Sequence, residues 1–495
     1  MTQPQEADKL TRLLHEAFAR HELARCLDLL TKAGPCHGPH PLETLLRTAE
    51  TQDRRADLQW LVDIALESTP EDCRLLELGG TLRMQRGQLA EAITLLQRAV
   101  SQRPCHLPAL SVLATALNQA GHFTDARTVL DRIHALDPAD PCSLSNIAYL
   151  MSAAGDMNAA LNLYRQAIQI RPDHPQMRLN YSIALLKAGY FQQGWTEHEW
   201  RFQLPGHTSL PLARLLPNIT PTLDLRGKRI LVTHEEGYGD TFMYLRFIPL
   251  LAERGAIVRV WGADIMADLC RRVNGVESVQ VGGDVPPYDY HCPFISLPRA
   301  FAASATPFGV APPYITADPE KSAHFAARLA HDTRLRVGIV WAGAPRRDQT
   351  EAYMLDQRRS MPLAALAPLF DVDAISLYSL QKGDAADQLP TLPNPVINLM
   401  PEIESMDDTA ALIDNLDLVV SVDTSMVHLA GAMNKPVLLM DRVNPCWRWM
   451  TDREDSPWYP SLRIIRQTRA WDWQDVVATV QDIISELARR KNHDA

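Results

Sequence analysis

A spacing of 34 residues, beginning near Cys73, constrains this chain more than any other feature. Three copies in unbroken register place Gly80, Ala114 and Ala148 at one small position, and Gly87, Gly121 and Gly155 in the turn that follows. Ala92, Ala126 and Ala160 come next, and Pro104, Pro138 and Pro172 close each copy. Small residues let paired helices cross closely, and proline ends the second one. A fourth copy runs from Pro175 through Gly189, and a degenerate one precedes the set with Ala65 and Pro70 in register. Residues 1–40 read as helical but fit the pattern poorly, as a capping unit does.

This is the tetratricopeptide spacing, and such repeats stack into a superhelix whose concave face grips a peptide or protein. Oligomerisation or a rigid spacer is the alternative use. The fourth copy ends in GWTEHEWRF, Gly194 to Phe202, where Trp195, His198 and Trp200 lie among Glu197, Glu199 and Arg201. That makes an aromatic face suited to docking on the next domain. A Pro/Leu-rich linker follows, Leu204 to Pro221.

At Gly227 the pattern changes to α/β. Arg229 to Thr233 reads as a buried strand, HEEGYGDT as a turn, and Phe242 to Leu251 as an amphipathic helix. Gly237 and Gly239 permit a backbone close to a ligand, and Asp240 sits at the mouth of that strand. Ala256 to Val260, Ile265 to Val273, Val279 to Val281 and His291 to Pro298 complete a first Rossmann-like domain. A second opens with Leu335 to Trp341 and the turn Ala342-Gly343. The polar stretch after it, carrying Arg358, Arg359 and Ser360, is expected as a loop, either solvated or in contact with phosphate or acceptor. Ile375 to Leu380 is a strand, and Lys382 just beyond it can face phosphates as a point charge. Met406 to Leu412 is a helix with Asp407 and Asp408 favouring its N-terminus.

Leu416 to Val422, the turn Asp423-Thr424-Ser425, the helix Met426 to Met433 and the strand Pro436 to Met440 form a β-α-β unit. Ligands bind outside the carboxyl ends of such strands, where helix N-termini offer free N–H groups to an anion. His428 lies one helical turn beyond Thr424, so both can face one ligand. The plainer alternative is that Asp423 and Thr424 cap the helix and His428 is a surface histidine. The loop Asn444 to Gln467 holds three tryptophans and a tyrosine that stack on a base or sugar, or plug the interdomain cleft. An amphipathic helix, Trp473 to Arg489, is expected to pack back across the domains.

With 495 residues the chain has room for about three domains, and 46% hydrophobic with 22% charged residues describes a globular protein. A net charge of −10 argues against a nucleic-acid partner. MTQPQEADKL does not resemble a signal peptide and no apolar run reaches membrane-spanning length, so a cytoplasmic location is expected. Eight cysteines without a C-x-x-C pair fit reduced thiols. Cys36, His37 and His40 read as incidental in a Gly/Pro-rich loop rather than as half a metal site.

VDTSMVHLAGAMNKPV resembles the D-T-x-x-x-H-L-A-x-A-x-x-K-P signature of the family 9 glycosyltransferases, which include the heptosyltransferases. E-E-G-Y-G-D is similar to that family's E-Q-G-x-G-D, with Glu236 in place of the usual glutamine, a departure expected to raise the pKa of Asp240 or alter an acceptor contact. S-L-Q-K-G, the G-W-x-x-x-E-W-R junction and the W-R-W…D-S-P-W-Y-P segment resemble bacterial proteins in which such a domain follows tetratricopeptide repeats; Cys446 stands where an aspartate is common. The resemblance implies an all-α tetratricopeptide superhelix over residues 1–203, a linker over 204–226, and an α/β GT-B pair of Rossmann-like domains. These are an acceptor-side domain over 227–330 and a donor-binding domain over 331–495.

It further implies a glycosyltransferase that moves a sugar from a nucleotide-sugar donor to an acceptor. A protein hydroxyl on flagellin or another surface protein, recruited by the repeats, is the expected acceptor. A saccharide acceptor in envelope polysaccharide synthesis, or a non-catalytic scaffold, are the alternatives. Asp240 would be the catalytic base. Trp341, Gly343, Lys382, Asp423, Thr424, Ser425 and His428 would hold the donor, while Glu236, Gly237, Gly239, Arg359, Ser360 and Trp449 would line the acceptor side or cleft. No cofactor beyond the nucleotide sugar and no metal is expected, since Asp371-Val372-Asp373 precedes a strand rather than following one. A second copy of the chain is a further candidate partner.

Overall fold

The structure, a computed structural model, describes residues 12–32, 45–46, 48–49, 54–207, 210–346, 350–391 and 395–494. The repeats fold as helix pairs: Cys73–Gln85 with Leu89–Gln102, Leu107–Gln119 with Phe123–Leu136, Pro141–Ala153 with Met157–Ile170, and Pro175–Lys187 with Phe191–His198. Asp72 and Asp140 cap two of the leading helices by accepting from the amides of Arg74 and Ser143. The turn glycines Gly87, Gly121, Gly155 and Gly189 all have left-handed φ, from 77° to 91°, which explains why glycine recurs there. Ala92, Ala126 and Ala160 are buried, and a Cβ at Gly80 would come within 2.6 Å of Leu96 Cγ, so the small positions are set by close helix crossing. The helix Arg55–Ser68 precedes the set and buries Ala65. Cys36, His37, His40 and most of the expected capping unit lie outside the described residues.

Two compact units part between Ala167 and Ile168. The last repeat pair, Pro175–Lys187 and Phe191–His198, therefore belongs with the α/β region rather than with the helices before it. In that region β1 (Arg229–Thr233), β2 (Ile257–Gly262), β3 (Val276–Val281) and β4 (Tyr290–Pro293) form a parallel sheet in the order β3-β2-β1-β4. A second parallel sheet orders β5 (Leu335–Val340), β6 (Ile375–Ser379), β7 (Leu418–Val422), β8 (Val437–Asp441) and β9 (Leu462–Arg466) as β6-β5-β7-β8-β9. Its β6, β7 and β8 are buried along their whole length because both faces are covered, as parallel sheets require.

One hydrophobic core joins the last repeat (Leu186, Trp195), the first sheet (Ile230, Val232), one face of the second (Val419, Leu439) and the helix Ser425–Ala432 through Val427. A second core lies between the other face and the terminal helix, Gln474–Asp494, through Val476, Val480 and Ile484. That helix closes its own domain; the expectation that it packs back across the domains is not met. Two further expectations change. The polar stretch after β5 contains a helix, Thr350–Arg359, which carries no apolar stripe and is held by Asp356, buried between Arg346 and Arg359. The helix expected over Phe242 to Leu251 is split into Tyr238–Tyr244 and Ile248–Glu253 by a 3₁₀ turn, with Pro249 starting the second piece.

Candidate active site

The turn after β1 is fixed from both ends. His234 Nδ1 pairs with Thr241 Oγ1 at 2.9 Å, and Asp240 Oδ2 accepts from the Gly237 amide at 3.4 Å. Between them Glu236 adopts φ 66°, a left-handed conformation that turns the chain back towards Asp240. Gly239 lies directly on His428, and a Cβ there would be 2.8 Å from His428 Cδ2. Thus the glycine-rich turn of the first domain and the Asp-Thr-Ser helix of the second are in contact.

On the second domain, Thr424 caps the helix Ser425–Ala432 and shares a hydrogen bond with Ser421 at 3.0 Å. The Asp423 carboxylate accepts from Trp449 Nε1 at 2.9 Å, and its carbonyl accepts from Arg359 at 2.5 Å. Arg359 also donates to Asp356, and it packs so closely on Gly343 that a Cβ there would meet its guanidinium at 2.6 Å. The Gly343 amide donates to Ser360 Oγ at 3.0 Å. Arg359, Ser360 and Gly343 therefore act as one brace behind Asp423.

Arg448 completes the arrangement. Its Nη2 is ion-paired with Asp240, and its Nη1 donates to Cys446 Sγ at 3.0 Å. Glu236 is exposed at the turn, yet desolvation by the protein around it, with Asp240 and Glu235 adding, pushes its carboxyl above the usual range. Burial and then Arg448 push His428 down to about 4, so its imidazole is neutral. Burial alone would raise Asp423, but Arg359 and Arg442 outweigh it and keep the carboxyl below its usual range.

The structure brings Asp240, Glu236, Gly237, Gly239, Asp423, Thr424, Ser425, His428, Gly343, Arg359 and Ser360 into one neighbourhood, but several roles read from sequence change. His428 does not face a ligand beside Thr424: it is buried, bonded to Tyr459 OH at 3.0 Å and stacked on Trp449 at 5.1 Å. Trp449 is fully buried by that stacking, so it supports His428 and Asp423 instead of offering a face to a base. The Trp341 side chain is fully buried in the second core, and only its backbone, donating to Gln381 Oε1, reaches the strand edge. The exposed Lys382 donates its ammonium to the Ile403 carbonyl at 3.0 Å.

Of the two readings of the aromatic loop, the plug fits. Trp447, Trp449, Trp458 and Tyr459 are all buried. Trp447 packs edge-on against Trp195 of the last repeat at 5.0 Å. Beside it a polar cluster went unnoticed in sequence. Arg201, 1% exposed, donates to both carboxylate oxygens of Glu235, at 3.2 and 2.9 Å, and to Glu199 and Ser296 at 2.7 Å each. His207 pairs with Glu235 from the other side at 2.7 Å. Glu235 belongs to the turn that carries Asp240, so the last repeat holds that turn in place. The signal was present in the E-W-R and W-R-W words, where each arginine stood beside more conspicuous aromatic residues.

Comparison with known proteins gives the same two parts. Residues 83–141 and 151–193 match the family Tetratricopeptide repeat, and residues 381–470 match Glycosyltransferase family 9 (heptosyltransferase). The chain is 24% identical over 345 residues to Protein FlbA of Caulobacter vibrioides, a match covering 64% of this chain and 56% of that protein. It thus spans about half the length of the curated relative it matches. Among solved structures, a thermophilic tetratricopeptide protein of Thermus thermophilus aligns with TM-score 0.30 at 19% identity, over 33% of this chain and 89% of that one. A tetratricopeptide repeat protein of Parabacteroides merdae aligns with TM-score 0.33 at 15% identity, over 41% and 82%. The chain carries tetratricopeptide repeats and a family 9 glycosyltransferase segment.

Proposed function

We propose that this protein is a GT-B glycosyltransferase that moves a sugar from a nucleotide-sugar donor to a hydroxyl of a protein acceptor without a metal ion. The reading rests above all on the contact of Gly239 with His428, which sets Asp240 beside the N-terminal end of the Ser425–Ala432 helix. A base and an anion-binding helix end from two domains then face one reaction centre.

Asp240 takes the proton of the acceptor hydroxyl, the oxygen forms a bond to the anomeric carbon, and the bond from that carbon to the donor phosphate breaks. The nucleotide leaves with the electron pair. The positive N-terminal end of the Ser425–Ala432 helix faces the charge that develops on it. Asp423 stays ionised, braced by Trp449 and Arg359, and fixes the turn from which that helix begins. The neutral His428 fills the domain contact without adding charge.

A protein acceptor, such as flagellin or another surface protein met in the cytoplasm, is the reading favoured by the repeats, whose stacked helices suit a polypeptide partner. Among the described residues no helix is long and apolar enough to cross a membrane. The test has two parts. Purified protein is melted against ADP, GDP, UDP, CMP and their sugars; a ligand at about a hundred times its Kd adds roughly 2.7 kcal/mol. Intact masses of surface proteins are then compared between strains carrying the wild-type gene and Asp240→Asn. Loss of glycan mass with retained folding is expected, with turnover down at least about 100-fold. Full activity of Asp240→Asn would remove the proposed base, and no nucleotide response would remove the transferase reading.

A further inference from the structure

Arg448 is the residue whose surroundings the reading above leaves unexplained. It comes from the loop beyond the carboxyl end of β8, yet its guanidinium reaches the first domain and pairs with Asp240. A guanidinium has five N–H donors in a planar fork. Here one is spent on Asp240 and one on the Cys446 thiol, a weak acceptor. Among the described residues no other hydrogen-bond acceptor for Arg448 is found. The contrast with Arg201 is direct, since that arginine is saturated by Glu235, Glu199 and Ser296. Arg448 has 16% of its side chain exposed, so its remaining donors are open to a ligand.

Its position also puts it close to the second domain's site: the neighbouring Trp449 bonds Asp423, and Arg448 is among the charges that depress His428. A planar cation with open donors, beside a helix N-terminus and across from the proposed base, suits an oxyanion of phosphate. Building on the transferase reading, we propose that Arg448 binds the donor's phosphates and that, until it does, it masks Asp240. A donor phosphate competes with the Asp240 carboxylate for the same guanidinium. Its arrival draws Arg448 away and leaves Asp240 as an uncompensated carboxylate able to accept the acceptor's proton. The donor therefore binds before the acceptor can be activated. The protons balance: Arg448 stays charged throughout, and the one proton moved goes from acceptor hydroxyl to Asp240.

Competition makes a prediction that a structural strut does not. If Arg448 must leave Asp240 to hold phosphate, removing the carboxylate should tighten binding, whereas removing the cation should weaken it. Calorimetric titration of the full chain with ADP, GDP, UDP, CDP and inorganic pyrophosphate reads both. The expected result is Kd lowered several-fold in Asp240→Asn, raised about tenfold or more in Arg448→Gln, and in the double variant equal to that of Arg448→Gln. Arg448→Lys keeps the charge but loses the fork, and should fall between wild type and Arg448→Gln. If Asp240→Asn binds no tighter than wild type, or Arg448→Gln binds as well as wild type, the proposal is wrong while the transferase reading stands. If wild type binds none of the five probes, both fall. A misfolded Arg448→Gln would show in its melting curve, and the Asp240→Asn and Arg448→Lys results then decide.

Discussion

Replacing Arg201 by methionine tests whether the last repeat holds the turn that carries Asp240. The change keeps much of the side chain's length but leaves Glu235, 10% exposed, and Glu199, 18% exposed, without their shared cation. Removing this cation from two largely buried carboxylates costs about 3–5 kcal/mol even though His207 still faces Glu235 and Arg299 still faces Glu199, because neither replaces its fork of donors. Residues 168–495 form the unit that melts, about 330 residues, for which the unfolding entropy is about 0.7 kcal/mol/K. The melting temperature of that unit should therefore fall by about 4–7 °C. Tryptophan fluorescence reads it selectively, because of the chain's 10 tryptophans all but Trp60 lie beyond Ala167. Glu235→Gln alone should also destabilise, and the double variant should lose less than the two single losses together, since the second change removes the charge the first exposes. A shift within about 1 °C of wild type for Arg201→Met, or strict additivity in the double variant, would refute the reasoning.

Three other outcomes follow from single contacts. His428 is held at about 4 when folded, below the roughly 6.5 of the unfolded chain, so the unfolded state takes up the proton first. Its contribution is full above pH about 6.5 and is lost as pH falls towards 4, on the order of 3 kcal/mol at most. Melting curves at pH 7.5, 5.5 and 4.5 should decline less steeply for His428→Gln, and equal slopes would count against a buried neutral imidazole. Gly239→Ala should cost about 1–3 kcal/mol and most of the turnover, because the ring 2.8 Å away is boxed in by Trp449 and Tyr459. Gly237→Ala, whose Cβ would meet only Asp240 Oδ2 at 3.6 Å, should be tolerated; the same melts and rates compare the pair. Gly80→Ala should destabilise the N-terminal unit by about 1–3 kcal/mol through Leu96, read by helical circular dichroism.

The repeats were legible because their information is local and periodic. Turn glycines, crossing alanines and closing prolines each answer a backbone or contact demand that recurs every 34 residues. The two α/β halves were legible for a similar reason, since buried parallel strands write themselves as apolar runs. What sequence could not give was the direction in which long side chains point. Lys382 stands just past the end of β6 as expected, but the Ile403 carbonyl lies within reach and takes its ammonium. The family resemblance implied that Trp341 and Trp449 contact ligand or line the cleft, yet both side chains are buried in the protein's own cores. The helix Thr350–Arg359 was hidden because its polar sequence has no apolar stripe, and only the Asp356 ion pairs account for it. Arg448 and Arg201 were hidden because each partner lies in a different domain, 208 and 34 residues away.

The fourth repeat bears on how the turn that carries Asp240 came to depend on a repeat at all. A stack of repeats ordinarily ends in a copy with a polar outer face, since nothing covers it. Here the last copy departs from the pattern where its outer face would be. Gly194 stands at the register of Ala92, Ala126 and Ala160, and a Cβ there would lie 2.7 Å from Leu186, so the closing helix packs more tightly than alanine allows. Trp195 takes the register of Ile93, Arg127 and Leu161 and is buried against Trp447 and Tyr244. Arg201 follows and is buried against Glu235. These substitutions would be a liability on an exposed terminal repeat, where they would present an uncovered aromatic patch. They make sense if the α/β region is itself the cap. The repeats then end in the same residues that position Asp240, and the α/β unit begins inside the repeats rather than after the linker.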